Sequence, residues 1–92
     1  MNDYQLRWSP PATRPLDRLA SKSPSVVAAI VEFCFGRLIA NPQQIGHALG
    51  RELSGWRSAR VGQYRVIYWI DESERIVYVD RVDHRSDVYR PR

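Results

Sequence analysis

Residues 56–70 read WRSARVGQYRVIYWI, two runs rich in branched and aromatic residues that are interrupted at Gly62-Gln63. Apolar and polar residues alternate with a period near two on both sides of the break, the pattern of half-buried strands. A two-residue connection with glycine first suits a tight hairpin, because the first central position of such a turn has a positive φ. The register follows from the loop. Val61 stands opposite Tyr64, and Arg60 stands opposite Arg65 on the same face. Like charges directly opposed across a ladder are destabilising, so the pair calls for an anion. The alternative is that both side chains splay into water or pair with carboxylates such as Glu52 or Asp83.

Working outward, residues 76–82 form a third run of the same kind after a polar turn at residues 71–75. A three-residue loop at 72–74 would place Arg81 opposite Arg65 and lengthen the basic stripe. Arg57 alternates to the other face of an ideal strand; twist, a bulge or the strand end would be needed to bring it back, so it ranks below Arg60. Upstream, residues 43–55 hold three glycines and weak periodicity and read as a connection in which Leu49 and Leu53 touch the core.

The amino-terminal half is helical in period. Ser23-Pro24 places a capping residue before a proline at the first helical position, and Val27, Ile30, Val31, Cys34 and Leu38 follow at helical spacing. Asn41-Pro42 ends that helix, since the residue before a proline is pushed out of the helical region. An earlier helix carries Leu16 and Leu19; Pro15 would remove one of its hydrogen bonds if it began at Pro10, so regular helix is expected from about Thr13 or Arg14. Residues 4–8 are a short strand. The order strand, helix, helix, three strands predicts a single α+β domain over residues 1–92. Two helices pack on one face of a twisted, mainly antiparallel four-stranded sheet, and the other face is the working surface.

Composition narrows the function. The 92 residues leave no room for a second domain. The longest strongly apolar stretch, residues 25–40, contains Glu32 and Arg37 and is shorter than the ~20 residues a spanning helix needs. No signal-peptide pattern opens the chain. Cys34 is the single cysteine, which excludes an internal disulfide framework and a cysteine-based metal site and suits a reducing cytoplasm. The net charge is +4, and Lys22 is the only lysine among 14 basic residues. Arginine presents a planar fork of donors to phosphate and keeps its proton near neutral pH.

Beyond the last strand, residues 83–89 read DHRSDVY and cluster an imidazole, a guanidinium and a phenol. RNA cleavage needs a group that takes a proton from the ribose hydroxyl, a cation for the developing phosphate charge and a donor for the leaving oxygen. An aromatic ring can also stack on a splayed base. Each residue alone also has a structural explanation, His84 as a strand cap and Tyr89 as a ring tucked against Trp69.

The stretch from Arg60 to Tyr68, followed by Val82-Asp83-His84-Arg85 and Val88-Tyr89, resembles the carboxyl half of RelE/ParE toxins. Trp8, Ala12, Leu16 and Leu19 look like that family's first strand and helix, and Leu49, Leu53, Gly55 and Trp56 resemble its approach to the second strand. The resemblance covers nearly the whole chain. It implies the toxin of a type II toxin–antitoxin pair, with a cognate antitoxin as partner, and the histidine–arginine–tyrosine ending leans toward the members that cut mRNA on the ribosome without a metal or other cofactor. On that resemblance Arg65 holds the scissile phosphate, Arg85 stabilises the transition state or assists the leaving group, and Tyr89 stacks on or orients the target nucleotide. Arg57 and Arg60 match the basic positions of the second strand, where the best-known members carry lysines. Arginine is a poor general base because its pKa lies above ~12, which leaves His84 as the proposed proton acceptor and His47 as a weaker one. Catalysis by positioning and electrostatics alone is the alternative. The same scaffold also suits a ParE-like inhibitor of DNA gyrase, or a noncatalytic RNA- or protein-binding module whose arginines only contact phosphates.

Overall fold

A computed structural model describes residues 3–50 and 55–84. In order it runs β1 (Gln5–Trp8), α1 (Pro10–Lys22), α2 (Pro24–Phe33), a π-helical turn (Cys34–Leu38), α3 (Pro42–Ile45), β2 (His47–Ala48), β3 (Arg57–Val61), β4 (Tyr64–Asp71) and β5 (Ile76–His84). The strands form one sheet in the order β1-β5-β4-β3-β2, antiparallel except for the β1–β5 pair. The α+β layering follows the sequence expectation. The expected four strands are joined by a fifth, the two-residue β2 on the edge, too short to leave a periodic signal. Among the described residues, no helix is long and apolar enough to cross a membrane.

The first helix begins at Pro10 rather than at Thr13 or Arg14. Pro10 and Pro11 occupy first-turn positions, where the missing N–H costs nothing. Ser9 anchors the start in spite of Pro15: its backbone N–H donates to Val79 O at 3.0 Å, its hydroxyl donates to Asp80 O at 2.6 Å, and its carbonyl accepts from the N–H groups of Ala12 and Thr13. Anchoring to β5 thus fixes the helix start, and Ala12 and Leu16 are buried beneath it. The second helix spans as expected but widens into a π-turn. Ile30, Cys34 and Leu38, all at 0% exposure, are spaced by four, a spacing that drifts around an α-helix of 3.6 residues per turn; the wider turn keeps all three on the sheet.

The first hairpin has the expected register, Val61 opposite Tyr64 and Arg60 opposite Arg65, with Gly62 at φ +60°. The second hairpin differs. Asp71 pairs with Ile76, so the loop has four residues, 72–75, and Arg75 takes a positive φ of 56°. The carboxylate of Asp71 accepts from the Glu74 N–H and the Ser73 hydroxyl and so holds the turn. Between Ile67 and Tyr68 the ladder slips, leaving Asp80 as an extra residue in β5. The combined shift puts Arg81 opposite Ile67, and Asp83 rather than Arg81 opposite Arg65. Because of the bulge, Val77, Val79 and Val82 all face the helices despite their uneven spacing, and with Val66 and Tyr68 they are almost fully buried.

Candidate functional site

The pleat sorts the arginines of β3 by face. Arg57 is level with Tyr68, whose ring lies in the core, and its guanidinium points to the helix side. There it donates to the carbonyls of Gln43 at 2.5 Å and Gly46 at 2.8 Å and to the Tyr68 hydroxyl at 3.4 Å. Tyr68 in turn donates to Pro42 O at 2.7 Å. Arg57, expected among the phosphate-binding residues, therefore clamps the α3–β2 corner. Burial raises the Tyr68 phenol above its ordinary pKa, and the Arg57 hydrogen bond and charge only partly offset this. At Gly46 an added Cβ would stand 2.6 Å from both Ser58 O and the Tyr68 hydroxyl, so this close crossing requires glycine.

Arg60 and Arg65 lie opposite one another on the other face, the one away from the described helices, where Ser58 and Ile67 next to them are nearly fully buried. Arg60 is exposed and Arg65 half-buried. Arg81 is on the same face, its side chain 53% exposed, and its guanidinium pairs with Asp83 at 2.8 Å. Among the described residues, Asp83 thus pairs with Arg81 and lies across the ladder from Arg65.

His84 ends β5 opposite Tyr64, and the two rings meet edge to face at 5.2 Å between centroids. Tyr64 packs against the core cluster, so His84 is on the helix side. It lines a groove of about 600 Å³ with Tyr64 and with Arg18, Leu19 and Lys22 of α1. The sheet therefore separates His84 from Arg60 and Arg65, although all three lie near the same end of the hairpin. His47 is exposed on β2, paired with Ser58. Arg85 and Tyr89 lie outside the described residues.

Sequence reasoning passed over a row on the arginine face. Trp56 meets Trp69 edge to face at 6.3 Å, and Trp69 stacks on Tyr78 at 4.5 Å with an interplanar angle of 13°. Arg7 of β1 continues the row beside Tyr78. The alternative contact of Tyr89 with Trp69 lies outside the described residues. The signal was present in the alternation of β4 and β5, but only the observed register sets the rings side by side.

A family model described as the ParE toxin of type II toxin–antitoxin systems matches residues 6–89. The chain belongs to the RelE/ParE superfamily of type II toxins. Toxin RelG of Mycobacterium tuberculosis is 46% identical over 87 residues, covering 95% of this chain and 97% of the relative. Toxin RelE of the same organism is 41% identical over 87 residues, covering 95% and 87%. The crystal structure of the M. tuberculosis toxin–antitoxin complex RelBE2 contains a chain similar to this toxin at a TM-score of 0.83 and 44% identity, over 90% of this chain and 99% of that one. Fold and family thus agree with the resemblance carried by the hairpin and the chain ending.

Proposed function

We propose that this toxin is an endoribonuclease that cuts mRNA in the ribosomal decoding site and so stops translation. The observation that carries this proposal is the directly opposed Arg60–Arg65 pair on the face away from the described helices, joined by Arg81. Two arginines directly opposed across the ladder offer a phosphate charge-assisted donors from both strands. The similarity to toxins named RelG and RelE supports the same activity.

On this proposal the ribose 2′-oxygen attacks the adjacent phosphorus, the bond to the 5′-oxygen breaks, and the proton lost by the hydroxyl is matched by one gained at the leaving oxygen. Arg65 holds the scissile phosphate, and Arg60 and Arg81 hold the strand around it. Arg85 stabilises the transition-state charge and Tyr89 orients the target nucleotide. No metal is called on in this scheme, because fixed guanidinium charges aimed at developing negative charge supply the electrostatic stabilisation. His84 is left out of the proton transfer, since its ring lies against Tyr64 behind the sheet; ribosomal groups or solvent take the proton. The partner that restrains the free toxin is an antitoxin, as the RelBE2 complex supports, with acidic residues against the arginines.

Primer extension on a translated message after induction tests the proposal: new ends tied to codons are expected. The ParE name of the matching family supports a second function, inhibition of DNA gyrase. Loss of supercoiling by purified gyrase, with no new message ends, would establish that function instead.

A further inference from the structure

The aromatic row on the arginine face is closed by a stacked ring on one side of Tyr78 and bordered by an arginine on the other. Trp69 and Tyr78 stack at 4.5 Å, which leaves no room between them, because a base sandwiched between two planes needs about 7 Å, twice the ~3.4 Å stacking step of nucleic acids. The stack uses the face of Tyr78 that looks toward β4. Its other face looks toward β1, where the register partner is Arg7. Leu6 and Trp8 on either side pack into the core, so Arg7 projects with Tyr78, and it is exposed. Neighbouring strands are only ~4.8 Å apart; a rigid ring at position 7 would close this gap as Trp69 closes the other. A long arginine side chain can lift by the missing ~2 Å and still lay its guanidinium plane over a base.

We propose that a base of bound RNA, a few nucleotides from the scissile phosphate, inserts between the β1-side ring face of Tyr78 and the guanidinium of Arg7. The subsite rests on the RNA-binding function above and extends it by assigning a base-stacking position to the β1–β5 seam. Charge leads to it. Arg60 and Arg65 lie about four residues, or ~13 Å, along the strands from the row, and exposed Arg81 stands between. A single strand held at Arg65 and passing Arg81 reaches Tyr78 with cations along its phosphates. Ring and guanidinium faces accept the π-face of any base, so the subsite contributes affinity and register rather than sequence preference.

Binding of fluorescein-labelled hexa-adenylate to the full chain, followed by anisotropy, tests the subsite. Tyr78→Leu is expected to weaken binding on the order of tenfold, the usual scale for one stacked base, and Tyr78→Phe to bind as wild type. Arg7→Gln, at an exposed position that folding does not need, is expected to lose several-fold. An oligomer of abasic ribose phosphates should bind Tyr78→Leu and wild type alike. Equal hexa-adenylate binding by Tyr78→Leu and wild type would overturn the subsite, as would an equal loss on the abasic strand. Retained RNA binding with loss of antitoxin binding in the same variants would also overturn it, making the row a protein contact. Tyr78-dependent RNA binding by a wild-type toxin that makes no codon-linked cuts would support the subsite while refuting the nuclease function.

Discussion

On β3, Arg57 and Arg60 are three residues apart and so emerge on opposite faces of one sheet, where the same side chain does different work. Arg57 lies under α3 with its charge spent on two backbone carbonyls and a tyrosine hydroxyl. Arg60 is exposed on the other face, with Arg65 as its cross-strand partner. The helix side is a packed core of Val66, Tyr68, Val77, Val79 and Val82; the other side carries guanidinium groups and aromatic edges. Position on the pleat, rather than residue type, separates the Arg57 clamp from the proposed phosphate-binding Arg60.

The largest expected break in this comparison is at Arg65. If it holds the scissile phosphate, Arg65→Ala should slow single-turnover cleavage by about a hundred- to a thousandfold, the scale for losing one transition-state donor, while thermal stability changes little. A variant that cuts at near wild-type rate would move the phosphate elsewhere.

The two β3 arginines should then separate cleanly. Arg57→Ala leaves two buried-side carbonyls and the Tyr68 hydroxyl short of a donor, and should destabilise the fold by about 1–2 kcal/mol once partial exposure is discounted. Denaturant melts would show it, with the salt dependence of RNA binding unchanged. Arg60→Ala should leave the melt alone and reduce the slope of log affinity against log salt by roughly one unit. Exchange of these phenotypes would overturn the assignment of faces.

Much of this division was legible beforehand, and what escaped has definite causes. The Gly62-Gln63 loop set the Arg60–Arg65 register because a two-residue turn admits few alternatives. The second hairpin escaped because its loop takes one more residue and β5 bulges at Asp80, and nothing local marks a bulge anchored by Ser9, 71 positions away. The extra loop residue and the bulge together shift the register by two, so Arg81 keeps the face expected of it and His84, three residues on, falls on the helix side by the same alternation; that alternation was legible, and the emphasis on its imidazole passed over it. The start of α1 escaped because Ser9 is held by tertiary hydrogen bonds that outweigh Pro15. Of the proposed catalytic set, Arg65 could be placed from its hairpin, whereas Arg85 and Tyr89 rest on the family resemblance alone.

The dry face has its own pH signature. Burial pushes the Cys34 thiol from 9.0 up to about 12. In this window the unfolded chain has lost the thiol proton and the folded chain keeps it. The unfolded state is therefore favoured as pH rises, and stability should fall above pH 9 at up to about 1.4 kcal/mol per pH unit from this group. Tyr68, also raised by burial, adds in the same direction above its ordinary value. Cys34→Ala should flatten the decline between about pH 9 and 10 in melts, and an unchanged decline would show that the thiol ionises freely in the fold.

The smallest expected effect is at His84, and its smallness is informative. A histidine beside an arginine and a tyrosine at the end of a strand suggests a general base, and loss of such a base costs on the order of a hundredfold in rate. The side-chain direction opposes that role. His84 packs edge to face on Tyr64 on the helix side, with the sheet between its ring and the Arg60–Arg65 pair. His84→Gln should therefore cut within about threefold of the wild-type rate, and the rise of rate with pH should keep its midpoint, because the group that titrates is elsewhere. What changes is modest packing at the end of β5, visible as a small loss in the melt. A hundredfold loss in single-turnover cleavage, with ribosome binding intact and the pH dependence abolished near an imidazole's ordinary pKa of about 6.5, would show that bound RNA reaches around the strand end. The two faces would then act together at that point rather than apart.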